Sequence, residues 1–596
     1  MWAKFLLLFF VFSFLFRTDL SFDQDLGRHI KLGEIIWQTG EVPKTNLFSY
    51  TNPDFPFINT HWLFEVFVYG VSQTIGLYWM LIFKVFIFLF SVWLIIKTIP
   101  KENQILLLPI GLIFLHVLRE RLELRPEIFS FLFTAITLYI LNRFIQMSHD
   151  SPRSAGGAGR RTFGTLLLLP PVQLIWINTH IYFFVGLILQ AIFLIHLILK
   201  QMASQAPHSS SSPRSAGGAG GKLKLLSIIF SLSVMVSFVN PNGLTGFFYP
   251  LNVTKNYGYT IVENQTMFLL ENINFRDPNF LFVKLAIAII GFSIIVAIAS
   301  SLRKLASSPT SRSGQGSIQI KNLLLASAGA GLTLLNVRSF PYLVFLSLPA
   351  VLGNFGQVKK NGLIIFLSLV TCALLLFESF FYLNGDYYRY TENQHQVGLT
   401  YEESVKGGMD FAIGHDLPNP IYNNFDIGSY IIYKGYPKYK VFVDGRPEAY
   451  PADFFQKTYI PMQTDPAKFK EEDQKWGFKT IIFSHTDQTP WGKSFLGSIV
   501  KDPQWRIVYI DNFVIILVKE EIAEQLSLTR KLLANLPPDS YSFNNHLSFL
   551  RLGIFLLSTG NMDSGGKFIL KAREIFPESP AVNQIIGNQA SNNFFW

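Results

Sequence analysis

The chain has 596 residues, of which 49% are hydrophobic and only 15% charged, with a mean hydropathy of +0.30. Soluble domains carry about 25% charged residues, so this balance excludes a disordered chain, a coiled coil and a compact soluble enzyme; it indicates an integral membrane protein with a sizeable soluble part. The single cysteine, Cys372, lies in an apolar run, which excludes disulfides, iron–sulfur clusters and Cys-ligated zinc, and the net charge of +10 acquires its meaning only from where the basic residues fall.

Crossing a bilayer takes about 20 apolar residues in a helix. Eleven runs qualify in chain order: 2–16, 77–96, 104–118, 128–147, 163–178, 181–199, 224–239, 280–300, 322–336, 340–355 and 362–383. The first resembles a signal peptide, but Phe16-Arg17-Thr18-Asp19 follows it instead of a small-residue cleavage site, so a retained anchor is expected. With a cytoplasmic N-terminus, the inner loops hold 17 basic and two acidic residues; the outer loops 17–61, 119–127, 240–279 and 336–339 hold 10 and 12. That asymmetry follows the positive-inside rule, makes the basicity a topology signal, and argues against nucleic acid. An odd number of spans then exports everything after residue 383.

The transmembrane domain, 1–383, carries Gly- and Ser-rich stretches expected to be flexible cytoplasmic insertions at 150–161, 201–222 and 305–318. The nonapeptide SPRSAGGAG occurs identically at 151–159 and 212–220. From 384 to 520, short β-rich runs (Ile421-Tyr422, Val441–Val443, Thr480–Phe483, Arg506–Ile510, Phe513–Val518) alternate with helical stretches and predict an extracytoplasmic α/β domain. The remainder, 521–596, reads as a helical tail. Its residues 544–577 resemble one tetratricopeptide unit, which cannot bury its own face and must dock on a neighbour.

The polar residues collect outside. Asp23 and Asp25 follow the first span, with Arg28 and His29 about one turn further on. Carboxylates at a bilayer edge are costly unless hydrated or paired. Three roles are open to them: a general base for an incoming hydroxyl, joint ligation of a divalent cation, or simple capping of a helix that starts near Leu26. A second cluster, Arg119 to Glu127, could bind a phosphate through Arg125 and place a carboxylate through Glu123 or Glu127, or could be a solvated turn. Further outer features are Asn178-Thr179-His180, the loop with Tyr249, Glu263 and Glu271, His61-Trp62 with Glu65, and Arg338. Walker, Rossmann, HExxH and GxSxG patterns are absent.

The stretches DQDLGRHIKLGEIIWQTGEVPKTNLFSYT, HWLFE, LRPE, WINTH, VNPNG, NVRSFPYLVF and YNNFDIGSYIIYKGYPKYKVFVDGRPEAY, spread between residues 20 and 520, resemble a bacterial family of multi-span proteins related to the C-type (GT-C) membrane glycosyltransferases. The resemblance implies a GT-C-like α-helical polytopic fold. It also implies inverting transfer of a sugar from a polyprenyl-phosphate donor, on the outer face of the cytoplasmic membrane, to an envelope acceptor. Asp23 would be the base or metal ligand, with Asp25 the second choice; Glu123 or Glu127 would add acidity, Arg125 and Arg338 would meet the donor phosphate, and Arg28, His29 and His180 would complete the binding surface. No resident cofactor is implied beyond that divalent cation. Membrane lipids are expected partners, and the C-terminal domains are left to hold a protein or glycan acceptor. Family members commonly carry Trp before the histidine, whereas this chain has Gly27-Arg28-His29. The competing readings are a non-catalytic envelope assembly scaffold on the same fold and a transporter or flippase; the transporter predicts internal repeats that the sequence lacks apart from its insertions.

Overall fold

The computed structural model describes residues 2–100, 103–146, 164–205, 213–252, 257–275, 277–307, 320–355 and 361–590. Each of the eleven apolar runs is mainly helical over its described residues. Among the described residues, five helices are long and apolar enough to cross a membrane: Tyr78–Thr98, Glu127–Gln146, Ile181–Met202, Asn279–Arg303 and Gly362–Leu383. Trp2–Leu15, Leu107–His116, Gly164–Thr179 and Ile320–Leu335 are shorter apolar helices. The last long helix points Leu363, Phe366, Phe377 and Phe380 outward, a surface suited to lipid and not to water. The chain is an integral membrane protein.

Charge inside this assembly is paired. Lys84, in the middle of an apolar helix, reaches Asp19 at 2.8 Å with both side chains buried. Arg17 meets Glu123 at 2.7 Å, and the Leu20 amide donates to the other oxygen of Glu123 at 2.7 Å. Of the expected insertions, 150–161 lies wholly outside the described residues, as do 206–212 of the second and 308–318 of the third, while 201–205 and 305–307 end the helices Phe184–Gln205 and Asn279–Ser307. The second copy of the nonapeptide differs from expectation: the helix Pro213–Val236 already runs through it.

The loop after the first helix folds into a π-helical turn, Phe22–Leu26, continued by the α-helix Gly27–Thr39 and followed by the helix Trp62–Thr74. These two helices cross at Gly33, where an added Cβ would fall 2.0 Å from the Glu65 carbonyl oxygen. Only glycine allows that approach.

The soluble part is built on a four-stranded sheet, β1 (Ile421–Asn423), β2 (Thr480–Ser484), β3 (Trp505–Ile510) and β4 (Val514–Lys519), in the order β1-β2-β4-β3. β1 runs parallel to β2; β4 runs antiparallel to both β2 and β3. The Asp511 carboxylate closes the β3–β4 turn by accepting from the amides of Phe513 and Val514 at 2.8 and 2.7 Å. The expected strand at 441–443 is not one. Val441 instead bridges Ser49 of the loop between the first helix and Trp62–Thr74, and the Val441 amide donates to the Phe48 carbonyl at 3.0 Å. A β-prone triplet has thus become the seam between loop and sheet unit, because its partner lies almost 400 residues away in sequence.

In the tail, His546–Ser558 and Met562–Ile575 form a helical hairpin, closed where Gly553 faces Ile569 and Phe568. The hairpin docks on the sheet unit: Asn512 donates to Ser548 at 3.0 Å, and the His485 and Phe555 rings lie 4.8 Å apart. Their apolar side chains share one core.

Candidate functional site

Asp23 and Asp25 are two residues apart on a helical turn, and such residues point to opposite sides. The structure shows the consequence. Asp23 turns to the segment before the sheet unit, where the Ser404 amide donates to its Oδ2 at 2.8 Å. Burial raises its carboxyl to about 7, only partly offset by the Ser404 and Val405 amides. Asp25 turns the other way, to Arg28 at 3.1 Å and Arg125 at 3.3 Å. Arg28 is reachable because three residues separate it from Asp25, one helical turn. Neither aspartate caps the helix by a side-chain hydrogen bond, so the capping role is excluded. The two carboxylates therefore do not meet at one point, and among the described residues no group of three or more His, Cys, Asp or Glu is arranged to hold a metal ion.

Asp25 opens into a cavity of about 140 Å³, whose wall also includes Arg28, His29, His61, Arg125, Glu127, His180 and Arg338. Asp23 and Glu123 are not part of it. Glu123 is held by Arg17, with His395 Nε2 at 3.4 Å, and fastens the loop after the first helix to the segment leading into the sheet unit.

The guanidiniums gather around a residue seen in the sequence only as one acid in a loop. Glu263 binds Arg121 at 2.7 Å, Arg125 at 2.8 Å and Arg338 at 2.9 Å. Arg121 also reaches Glu127 at 3.3 Å. Four guanidiniums (Arg28, Arg121, Arg125, Arg338) thus face three paired carboxylates (Asp25, Glu127, Glu263), leaving one net positive charge in the network. Burial alone would raise the Glu263 carboxyl; the three arginines outweigh it and hold it well below the usual range. The same opposition, won by Arg125 and Arg28, keeps Asp25 low and ionised at neutral pH. The Nε of Arg28, Arg121 and Arg338 is buried and makes no hydrogen bond. The unpaired Nε–H groups of Arg28 and Arg338, two arginines of the cavity wall, suit an anion with several oxygens.

The histidines contribute uncharged polarity. His29 Nδ1 lies 3.0 Å from Glu65, whose other oxygen accepts from Asn59 at 2.6 Å. His61 and His180 are pushed well below the ordinary histidine range, first by burial and then by neighbouring histidines and Arg338. Trp176 donates to Ser130 Oγ at 2.7 Å, and Ser130 pairs with His180 Nδ1 at 2.7 Å. Tyr249 and Tyr257 come from the same loop as Glu263, and the turn Gly445–Glu448 of the sheet unit closes the cavity from above. Sequence reasoning missed Glu263 and Glu448. A signal for the first existed, an acid between apolar runs in a chain whose other such loops concentrate arginine at 119–125 and 338.

No family model matches the chain, and no curated protein matches it. Among solved structures it is similar to the archaeal oligosaccharyltransferase AglB from Archaeoglobus fulgidus in complex with an inhibitory peptide and a dolichol-phosphate, at TM-score 0.49 and 10% identity, over 83% of this chain and 71% of that one. The apo form of the A. fulgidus oligosaccharyltransferase gives TM-score 0.48 at 10% identity, with the same coverage. ArnT from Cupriavidus metallidurans in the apo state gives TM-score 0.31 at 14% identity, over 85% of this chain and 95% of that one. Likenesses this remote carry no argument about activity, and function rests on the cavity itself.

Proposed function

We propose that the chain is a GT-C-like inverting glycosyltransferase that moves a sugar from a polyprenyl-phosphate donor to an acceptor on the outer face of the cytoplasmic membrane. One observation carries this: Asp25 and three arginines, Arg28, Arg125 and Arg338, converge on a single cavity between the apolar helices and the sheet unit. A phosphate monoester or diester is the anion such a cluster holds best, and a donor whose lipid tail stays in the bilayer brings its phosphate to this level. Arg28, Arg125 and Arg338 would receive the phosphate and stabilise the charge that grows on it as the sugar leaves. Asp25, ionised between two of them, would fix their forks. Asp25 therefore takes the place first expected of Asp23 at the site, as the positioning residue of these arginines. Eleven spans with the sheet unit and the helical tail exported belong to the same proposal.

The test is transfer of a radiolabelled sugar from a panel of undecaprenyl-phosphate donors by membranes containing wild type, Asp25→Asn or Asp23→Asn. Transfer by wild type and Asp23→Asn, with a loss of at least about 100-fold in Asp25→Asn, is expected. Equal activity in Asp25→Asn overturns the assignment, and no transfer by wild type from any donor favours the scaffold.

A further inference from the structure

The sheet unit contributes its own carboxyl group to the cavity. Pro447 and Glu448 stand on the cavity wall at the end of the turn Asp444-Gly445-Arg446. That turn is clamped. Arg446 donates to Asp444 Oδ1 at 2.8 Å, to Asp444 Oδ2 at 2.6 Å and to Asn46 Oδ1 at 2.9 Å, and its guanidinium lies over the rings of Phe57 and Phe48. Asn46 also donates to the Ala449 carbonyl at 2.9 Å. The loop after the first helix thus grips the turn on both sides of Glu448. A buried ion pair is a poor source of net stability, because desolvation offsets most of its attraction. What this one does is fix the position of a neighbouring side chain.

Glu448 differs from the other carboxylates on the wall. Asp25 is occupied by Arg28 and Arg125, and Glu127 by Arg121. Among the described residues Glu448 forms no ion pair. Arg28, Arg446 and Asp444 act on it electrostatically, and it acts in turn on Tyr249 and Tyr257. A carboxylate bound by arginines has its lone pairs engaged; one without such partners is free to accept a proton from substrate.

We propose that Glu448 takes the proton of the acceptor hydroxyl, a role that rests on the glycosyl-transfer function above. The acceptor oxygen forms its bond to the anomeric carbon. The bond from that carbon to the phosphate oxygen breaks, its electron pair leaves with the polyprenyl phosphate, and the hydroxyl proton passes to the Glu448 carboxylate. Asp25 remains the ionised anchor of the arginines. Burial raises the Glu448 carboxyl above the ordinary glutamate range, and its own backbone amide, then Arg28 and Arg446, counter it only in part. A base tuned upward in this way works better near neutral pH.

The experiment uses the full chain in lipid nanodiscs, radiolabelled undecaprenyl-phosphate sugars and an envelope extract as acceptor. In wild type, transfer should fall on the acid side with a midpoint above that of a free glutamate. Glu448→Gln should lower kcat at least about 100-fold with the donor KM unchanged. Added formate should restore rate to Glu448→Gln but not to Asp25→Asn, and Glu448→Asp should retain part of the rate. Wild-type transfer accompanied by an unchanged rate and acid limb in Glu448→Gln overturns the role of Glu448 alone. Failure of both formate and Glu448→Asp to recover activity in folded protein makes the residue structural and likewise overturns it. No transfer by wild type from any donor overturns the glycosyl-transfer function and this role with it.

Discussion

Replacing Glu263 by glutamine tests the charge balance of the arginine network beside the cavity. The carboxylate binds three guanidiniums, within 2.7, 2.8 and 2.9 Å, and its neutralisation takes the network from one net positive charge to two. Removing one partner of a fully buried pair costs about 3–5 kcal/mol, because the remaining charge stays desolvated. Glu263 and Arg338 keep 27% and 29% of their side-chain surface, so water in the cavity shares the load and about 2 kcal/mol is the expected loss. A phosphate entering the cavity would supply the missing anion. Thermal melting of the purified chain in detergent, followed by tryptophan fluorescence with and without undecaprenyl phosphate, reads both effects. Glu263→Gln should melt below wild type and gain more from the lipid phosphate than wild type does. An unchanged melting temperature, or a lipid gain no larger than that of wild type, refutes the view that Glu263 stands in for a bound phosphate.

Asp23→Asn should shift the pH dependence of stability. The carboxyl titrates at about 7 in the folded chain against 3.8 for the free side chain, so folding favours its neutral form. Its contribution is fully present below about 4 and is lost as pH rises to 7, a difference of up to about 4 kcal/mol. Melting curves at pH 5 and pH 8 should therefore differ less for Asp23→Asn than for wild type, and equal differences would show that the site is wetter than its burial implies. Lys84→Met strands the buried Asp19, which keeps only Ser21 and the Leu124 amide as partners, and should cost about 3–5 kcal/mol. Adding Asp19→Asn should recover part of that loss, measured by the same melting assay.

Much of the architecture is legible in sequence because it depends on local pattern. Runs such as 78–98 or 362–383 have no polar residue density that a water-facing helix would need, and their helical state follows from the backbone's need to satisfy itself in an apolar setting. The strands around Ile481 and Ile516 are equally visible as β-branched runs. The segment 441–443 shows the limit of that signal. Its composition predicts a strand, and only its neighbour, the loop after the first helix, decides that it becomes a single bridge.

The sequence by itself determined that arginines collect at 119–125 and 338, between apolar runs, and that they had to be neutralised somewhere, since uncompensated charge beside a membrane is costly. It could not determine which carboxylates do so. Tertiary structure turned Asp23 away and Asp25 inward, because two residues of separation on a helical turn place side chains on opposite sides. It brought Glu263 to three arginines from two other loops, and set Glu448 into the cavity through an Asp444–Arg446 turn clamped by Asn46. Those contacts join residues up to about 400 positions apart, and no local spacing encodes which distant side chain completes a buried charge.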